Sequence, residues 1–131
     1  MQAKRGWRVA LGAVSHRLGH RSEWLAAAML MARGYQVLGF RLKTRAGEID
    51  ILARRRRVLA VVEVQRRATL EQALAALTAN QYDRLLAAGR SVLRQRPSLA
   101  GHVLRIDMVA LAPGRLPRHR RGVEPFGKER A

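Results

Sequence analysis

The residues best suited to chemistry are three carboxylates in the stretch Gly47 to Gln65, which reads GEIDILARRRRVLAVVEVQ. This stretch holds Glu48, Asp50 and Glu63, although the whole chain has only 9 Asp and Glu residues. The three acids lie in or beside two apolar runs, and burial in such surroundings disfavours the charged form of a carboxyl group. A cation is therefore expected close to them.

Side-chain alternation along β-strands brings Asp50 and Glu63 together. Strands over 47–53 and 58–65 would form a hairpin through the arginine run 54–57, with their acid-bearing faces on the same side. The register then places Asp50 opposite Glu63 or two residues from it, so the two carboxylates come within roughly 5–8 Å. Carboxylates so close repel each other, and a divalent cation that prefers oxygen ligands, Mg²⁺ or Mn²⁺, would relieve the repulsion.

Structural explanations of these acids remain open beside the metal site. Asp50 and Glu63 could each form an ion pair with a neighbouring arginine. Glu48, at the start of its strand, is expected to support the site by capping a turn or pairing with Arg45 rather than to bind metal. Asp107, in an apolar segment near the C-terminus, is interpreted as the structural partner of a nearby arginine.

A third acid, Glu23, lies in a segment with helical spacing. Ala27 and Leu30 follow it at positions that share one stripe of a helix. Glu23 therefore either faces the core beside the other acids or lies on the solvated edge of the helix, and the spacing alone leaves both open.

The composition points to one domain and an anionic partner. The chain has 131 residues, of which 48% are hydrophobic, enough for one core. Lys and Arg number 26 and the formal net charge is +17, which favours a polyanion, with nucleic acid ahead of a membrane surface. An Arg-rich overall composition is the alternative, since only three of these cations are Lys. The lack of cysteine excludes disulfides and thiolate zinc sites. With no apolar run of signal or membrane-span length, we expect a cytoplasmic protein without membrane partners.

The elements that must position the acids follow the order α-β-β-β-α-β. Helical patterns cover about 16–33 and 70–96, and strand patterns cover 35–42, 47–53, 58–65 and 103–111. This order predicts an α/β fold with a mixed β-sheet flanked by helices. The predicted organisation is a basic N-terminal arm over 1–15, one domain over 16–112, and a basic, loosely ordered C-terminal tail over 113–131.

Three motifs, GEIDIL, VEVQRRA and RIDMVAL, together resemble the YraN-type family of bacterial proteins. The resemblance covers roughly residues 16–116. It implies a restriction-endonuclease-like fold, similar to archaeal Holliday-junction resolvases. It also implies that Asp50, Glu63 and the main-chain carbonyl of Val64 bind Mg²⁺ or Mn²⁺, and that Glu23 is a catalytic glutamate. Many relatives of this fold act as dimers, so a homodimer is also open.

The sequence departs from this nuclease pattern at two lysine positions. Gln65 stands where the motif has the catalytic lysine, and Gln81 stands where the long helix has a second one. Glutamine can orient a water molecule by a hydrogen bond, but it carries no charge for the developing phosphorane. Arg66 or Arg84 could supply that charge instead.

The expected function is nucleic-acid binding, DNA ahead of RNA, with Mg²⁺-dependent cleavage of phosphodiester bonds. The alternative is a non-catalytic nucleic-acid-binding module, or a basic assembly protein that has lost nuclease activity. Contacts to phosphates would be independent of sequence and sensitive to salt. The residues predicted to make them are Arg41, Lys43, Arg45, Arg54, Arg55, Arg56, Arg57, Arg66, Arg67 and Arg84.

Overall fold

The computed structural model describes residues 21–125. The predicted arm over 1–15 and the first residues of the predicted first helix lie outside this range. The helices are α1 (Arg21–Ala32), α2 (Leu70–Leu74) and α3 (Ala79–Gln95), followed by a 3₁₀ turn at Pro97–Leu99. The strands are β1 (Gln36–Lys43), β2 (Glu48–Arg55), β3 (Val58–Arg66), β4 (Val103–Leu111) and β5 (Arg118–Arg120).

Within residues 21–125 the five strands form one mixed sheet in the order β1-β2-β3-β4-β5. The pairs β1–β2, β2–β3 and β4–β5 are antiparallel, whereas β3 and β4 are parallel. A parallel pair needs a long crossover, and α2 and α3 provide it. The prediction of an α/β fold with a mixed sheet flanked by helices is confirmed. No helix in this range has the length and apolar character needed to cross a membrane.

The two faces of the sheet carry different helices. On one face α1 buries Ala26, Ala27 and Leu30 in a cluster that includes Ile51 and Val62. On the other face α3 buries Leu85, Ala88 and Val92 in a second cluster, which also includes residues of β2 and β3. Its buried members are Ile49, Leu52, Leu59, Val61, Leu77, Leu85, Ala88, Val92, Leu99, Ile106, Met108 and Val123. The sheet is therefore the middle layer between two helical layers.

The single helical region predicted over 70–96 is instead two helices. Thr78 is the N-cap of α3. Its hydroxyl accepts from the backbone N–H of Gln81 at 3.1 Å, and the Gln81 side chain accepts from the Thr78 N–H at 3.0 Å. This reciprocal capping box starts α3 as a new helix. Thr69 caps α2 by a single hydrogen bond, which its hydroxyl accepts from the N–H of Gln72.

Gly89 lies inside α3. A Cβ atom at this position would lie 2.6 Å from Leu104 Cδ1 and 2.9 Å from Val61 Cγ2. The glycine thus allows the helix to pack closely on β3 and β4 and does not interrupt it.

Strand β5 lies in the segment that the sequence assigns to a loosely ordered tail. Its three residues pair with Met108, Val109 and Ala110 of β4, so this part of the predicted tail is an edge strand. The sequence RHR carries no strand pattern. The strand is held instead by a long-range contact in which His119 Nε2 lies 2.8 Å from Asp107 Oδ2. Residues 126–131 lie outside the described range.

Candidate functional site

Strands β2 and β3 separate at Asp50. Their backbone pairing runs from Arg55 opposite Val58 to Ile51 opposite Val62. One residue further on, the Asp50 carboxylate takes the place of the backbone, since its Oδ2 accepts from the Val64 N–H at 2.8 Å. The side chain of Asp50 therefore fills the gap where the two strands part.

Strand β1 is irregular at Arg41, which lies opposite Asp50. Arg41 has φ 50°, in the left-handed region, and it lies between Phe40, which pairs with Ile51, and Leu42, which pairs with Ile49. The alternation along β2 changes here as well, because Ile49 packs in the α3-side cluster and Ile51 in the α1-side cluster. Asp50, between these two isoleucines, thus lies where the regular alternation of β2 is interrupted.

Glu63 and Asp50 interact directly. Burial, then a hydrogen bond to Asp50 and the negative charge of that carboxylate, raise the pKa of Glu63 to about 9. The amide of Gln65 opposes this rise, since its Nε2 donates to Glu63 Oε2 at 3.3 Å. At neutral pH Glu63 consequently holds a proton that binds it to Asp50.

Glu23 reaches the same group of acids from α1. It is half-buried, and its pKa is raised to about 7, chiefly by burial and next by the negative charge of Asp50. The positive charge of Arg41 lowers this pKa and the charge of Glu48 raises it. The first turn of α1 therefore brings a third carboxyl group within electrostatic range of the pair.

An open cleft of about 220 Å³ exposes the acid pair to solvent. Its lining consists of Gly47, Glu48, Asp50, Glu63, Gln81, Arg84 and Leu85. Arg84, from α3, brings a cation to the cleft. The side-chain amide oxygen of Gln81, Oε1, already accepts from the Thr78 N–H in the capping box of that helix. The cleft thus combines carboxylates from β2 and β3 with one guanidinium group from α3.

The acid pair offers a divalent cation few protein ligands. Within residues 21–125 no three His, Cys, Asp or Glu side chains form a group that could hold a metal ion. Asp50 and Glu63 are the two side chains that offer oxygen ligands at this point. Mg²⁺ usually keeps several waters and takes one or two carboxylates, so this smaller set suits it. Glu23, outside the direct pair, would act through a water molecule.

The remaining predicted residues are distributed over both ends of β2. Glu48 accepts from Arg41 Nε at 3.2 Å, so it pairs with Arg41 rather than with Arg45. The run Arg54–Arg57 lies at the end of β2 away from the acids. Arg54 there donates to Gln36, and Arg55 donates to a backbone carbonyl of α1's C-terminal turn. The basic residues at the acid end of the sheet are Arg41, Lys43, Arg45, Arg66, Arg67 and Arg84.

A second polar cluster surrounds Asp107, for which the sequence predicts only an arginine partner. That partner is Arg105, whose Nε and Nη2 donate to the two carboxylate oxygens, each at 2.7 Å. Burial by itself would raise the pKa of Asp107, but hydrogen bonds from His119, Arg105 and the Gly122 N–H lower it. The sequence does not predict that His119 belongs to this cluster, nor that Tyr35 does, whose hydroxyl accepts from Arg105. No local signal in RHRR marks His119, since its partner is 12 residues away.

Comparison with known proteins adds a family but no activity. A model described as "Uncharacterised protein family UPF0102" matches residues 22–111. A UPF0102 protein of Caulobacter sp. (strain K31) is 56% identical over 110 residues, which are 84% of this chain and 79% of that protein. A UPF0102 protein of Caulobacter vibrioides (strain NA1000 / CB15N) is 48% identical over 114 residues, 87% of this chain and 91% of that protein. One of Rhodopseudomonas palustris (strain BisB5) is 48% identical over 101 residues, 77% of each chain.

Proposed function

The chain belongs to the UPF0102 (YraN-type) family, and from this premise we propose that it is a nucleic-acid-binding protein that cleaves phosphodiester bonds with Mg²⁺ or Mn²⁺. The observation that carries the proposal is the direct contact of Asp50 and Glu63 where β2 and β3 separate. Without a cation the two carboxyl groups stay together because Glu63 keeps a proton, which has a cost to folding at neutral pH, and a bound cation would replace that proton.

The architecture supports a restriction-endonuclease-like fold. An antiparallel unit of β1, β2 and β3 continues into a parallel β4, with α1 on one face and α3 on the other. The acids lie on β2 and β3 and at the start of α1, which is where the resemblance to resolvase-like nucleases requires them.

In this proposal Asp50, Glu63 and the Val64 carbonyl hold the cation. The cation would lower the pKa of a bound water and neutralise charge on the scissile phosphate. Glu63 must lose its proton to bind, and the Gln65 amide then keeps that carboxylate in place. Arg84, which lines the same cleft, would bind a non-bridging oxygen of the phosphate.

Gln65 limits the rate of the proposed reaction. Loss of one group that stabilises the transition state typically costs on the order of 10²–10³ in rate. Gln65 is also buried, and its amide is bound to Glu63. This geometry favours a second candidate, a nucleic-acid-binding module without turnover, because the motif position carries no cation and its amide is already engaged.

The binding half of the proposal is supported by charge. The net charge is +17, and basic side chains lie on both sides of the acid cleft. Contacts of this kind favour duplex DNA through its phosphates, and the affinity should fall steeply as salt is added.

Metal binding is tested by thermal melting with increasing Mn²⁺. Wild-type protein should be stabilised, Asp50→Asn should lose the effect, and Glu71→Gln, an exposed acid in α2, should keep it. A wild-type melting temperature that does not respond to Mn²⁺ would refute the metal site.

Turnover is tested with branched and linear DNA in Mg²⁺. Gln65→Lys should raise cleavage by about 10²-fold, because it restores the missing cation. If neither protein cleaves DNA while both bind it, the non-catalytic module is the correct function.

A further inference from the structure

A second pocket lies at the opposite end of β2 from the acid cleft. It has a volume of about 340 Å³, at the lower end of the range for small-ligand sites. The end of α1, the start of β1, the end of β2 and β5 meet there. The lining residues are Arg33, Tyr35, Arg55, His119 and Arg121. Asp50 and Arg55 are five residues apart in β2, about 17 Å along a strand, so the two sites are separate.

The pocket has a strong excess of positive charge. Three guanidinium groups line it, and no carboxylate among residues 21–125 does so. The nearby Asp107 side chain is fully buried, and both of its oxygens are engaged by Arg105, His119 and Gly122. Asp107 is therefore not available to neutralise these arginines.

Several contacts hold the lining in place without a ligand. Arg55 Nη1 donates to the Arg33 carbonyl at 3.0 Å, and its guanidinium lies 5.1 Å from the centre of the Tyr35 ring. His119, whose side chain is fully buried, donates from Nε2 to Asp107, so its Nδ1 accepts from Arg33 Nη1 at 3.3 Å. An incoming anion would meet donors that are already positioned, which reduces the entropy lost on binding.

We propose that this pocket is an oxyanion site that binds a phosphate group through Arg33, Arg55 and Arg121. Guanidinium groups match phosphate oxygens in geometry and charge. The guanidinium groups of Arg55, in the pocket, and of Arg105, outside its lining, lie 5.1 and 5.9 Å from the centre of the Tyr35 ring. Because this ring is already covered, the pocket recognises the charge of its ligand rather than a stacked base. The site is independent of the metal-dependent cleavage proposed above. The phosphate belongs either to a nucleic-acid backbone or to a small phosphorylated molecule.

The test compares Arg121→Gln with Arg115→Gln. Arg121 is exposed and makes no hydrogen bond or ion pair within the described part of the chain, so its loss should leave the fold intact. Arg115 is exposed and lies outside the pocket, and it controls for the lost charge. Thermal melting is followed with sodium phosphate, with AMP and with sodium chloride at equal ionic strength, and DNA affinity is measured in parallel.

Wild type and Arg115→Gln should show a saturable stabilisation by phosphate that chloride does not give, and Arg121→Gln should bind phosphate about tenfold more weakly. A specific loss of DNA affinity in Arg121→Gln would identify the backbone phosphate as the ligand. Retained DNA affinity with lost AMP binding would identify a small phosphorylated molecule. If phosphate acts only as chloride does, and the two variants bind DNA equally, the proposal is overturned. Stabilisation by Mn²⁺ should survive in Arg121→Gln, which separates this result from failure of the metal site.

Discussion

The Glu63→Gln variant should make the metal-free protein more stable. The folded protein holds a proton on Glu63 because its pKa is raised to about 9, whereas an unfolded chain releases that proton near the ordinary value of 4.5. The contribution of Glu63 to the free energy of unfolding is therefore most favourable below pH 4.5, and it falls as the pH rises toward 9. Glutamine needs no proton, and its amide can donate to Asp50 as the protonated carboxyl does.

The size of the effect follows from this interval. Between pH 4.5 and pH 7 each pH unit costs about 1.4 kcal/mol, which gives an upper bound of about 3.4 kcal/mol at pH 7. Because Glu63 is only partly buried and the cleft is open, we expect about 1–2 kcal/mol after solvent screening. For a chain of this length such a gain raises the melting temperature by roughly 3–8 °C.

Urea denaturation from pH 5 to pH 9 measures this difference, with Glu71→Gln as the control. The gap between Glu63→Gln and wild type should widen as the pH rises, whereas the exposed control should follow wild type throughout. Added Mn²⁺ should stabilise wild type but not Glu63→Gln. A variant that is less stable than wild type at every pH, or a gap that does not change with pH, would refute the shared proton.

Three further predictions concern the fold that positions the cleft. Asp107→Asn should lose about 3 kcal/mol at pH 7, because Arg105 is left without its carboxylate. Urea denaturation should show this loss shrinking as the pH falls below the ordinary aspartate value of 3.8, because the unfolded chain then takes up a proton at Asp107 while the lowered pKa keeps the folded carboxylate charged. Gly89→Ala should lower the free energy of unfolding by about 1–3 kcal/mol in the same assay, because the added methyl group would overlap Leu104. Alanine is the better helix former, so a variant more stable than wild type would show that Leu104 moves aside easily. Thr78→Ala should cost about 1 kcal/mol through loss of the capping box, and helical content measured by circular dichroism after mild heating should fall with it.

The sequence predicted the strands of the site because their signal is local. A period of two in GEIDIL and VLAVVEVQ sets which residues share a face, and the short arginine turn sets the register within two residues. The direct contact of Asp50 with Glu63 follows from that register. What alternation cannot show is that the strands separate at Asp50, where a side-chain carboxylate rather than the backbone accepts from the Val64 N–H.

The start of α3 has a signal in the local sequence, whereas strand β5 has none. Thr78 followed by Gln81 is a capping-box pattern, whereas helical spacing alone predicts one helix over 70–96. Strand β5 was not readable, since Arg118–Arg120 has no apolar residue. It forms because Asp107, buried among apolar neighbours, needs donors, and His119 provides one from a distant part of the chain.

The two proposed sites follow from one electrostatic feature of the sheet. At one end of β2 the Asp50 carboxylate lies against Glu63 of β3, and at the other end guanidinium groups line a pocket without a carboxylate among the described residues. Each cluster costs folding free energy, and in each case a ligand of opposite charge would remove that cost. A divalent cation and a phosphate group should therefore stabilise the protein additively, because the sites are about 17 Å apart and share no lining residue. If phosphate instead stabilised the protein only when Mn²⁺ was present, the anion would bind at the metal in the acid cleft, and the arginine pocket would not be its site.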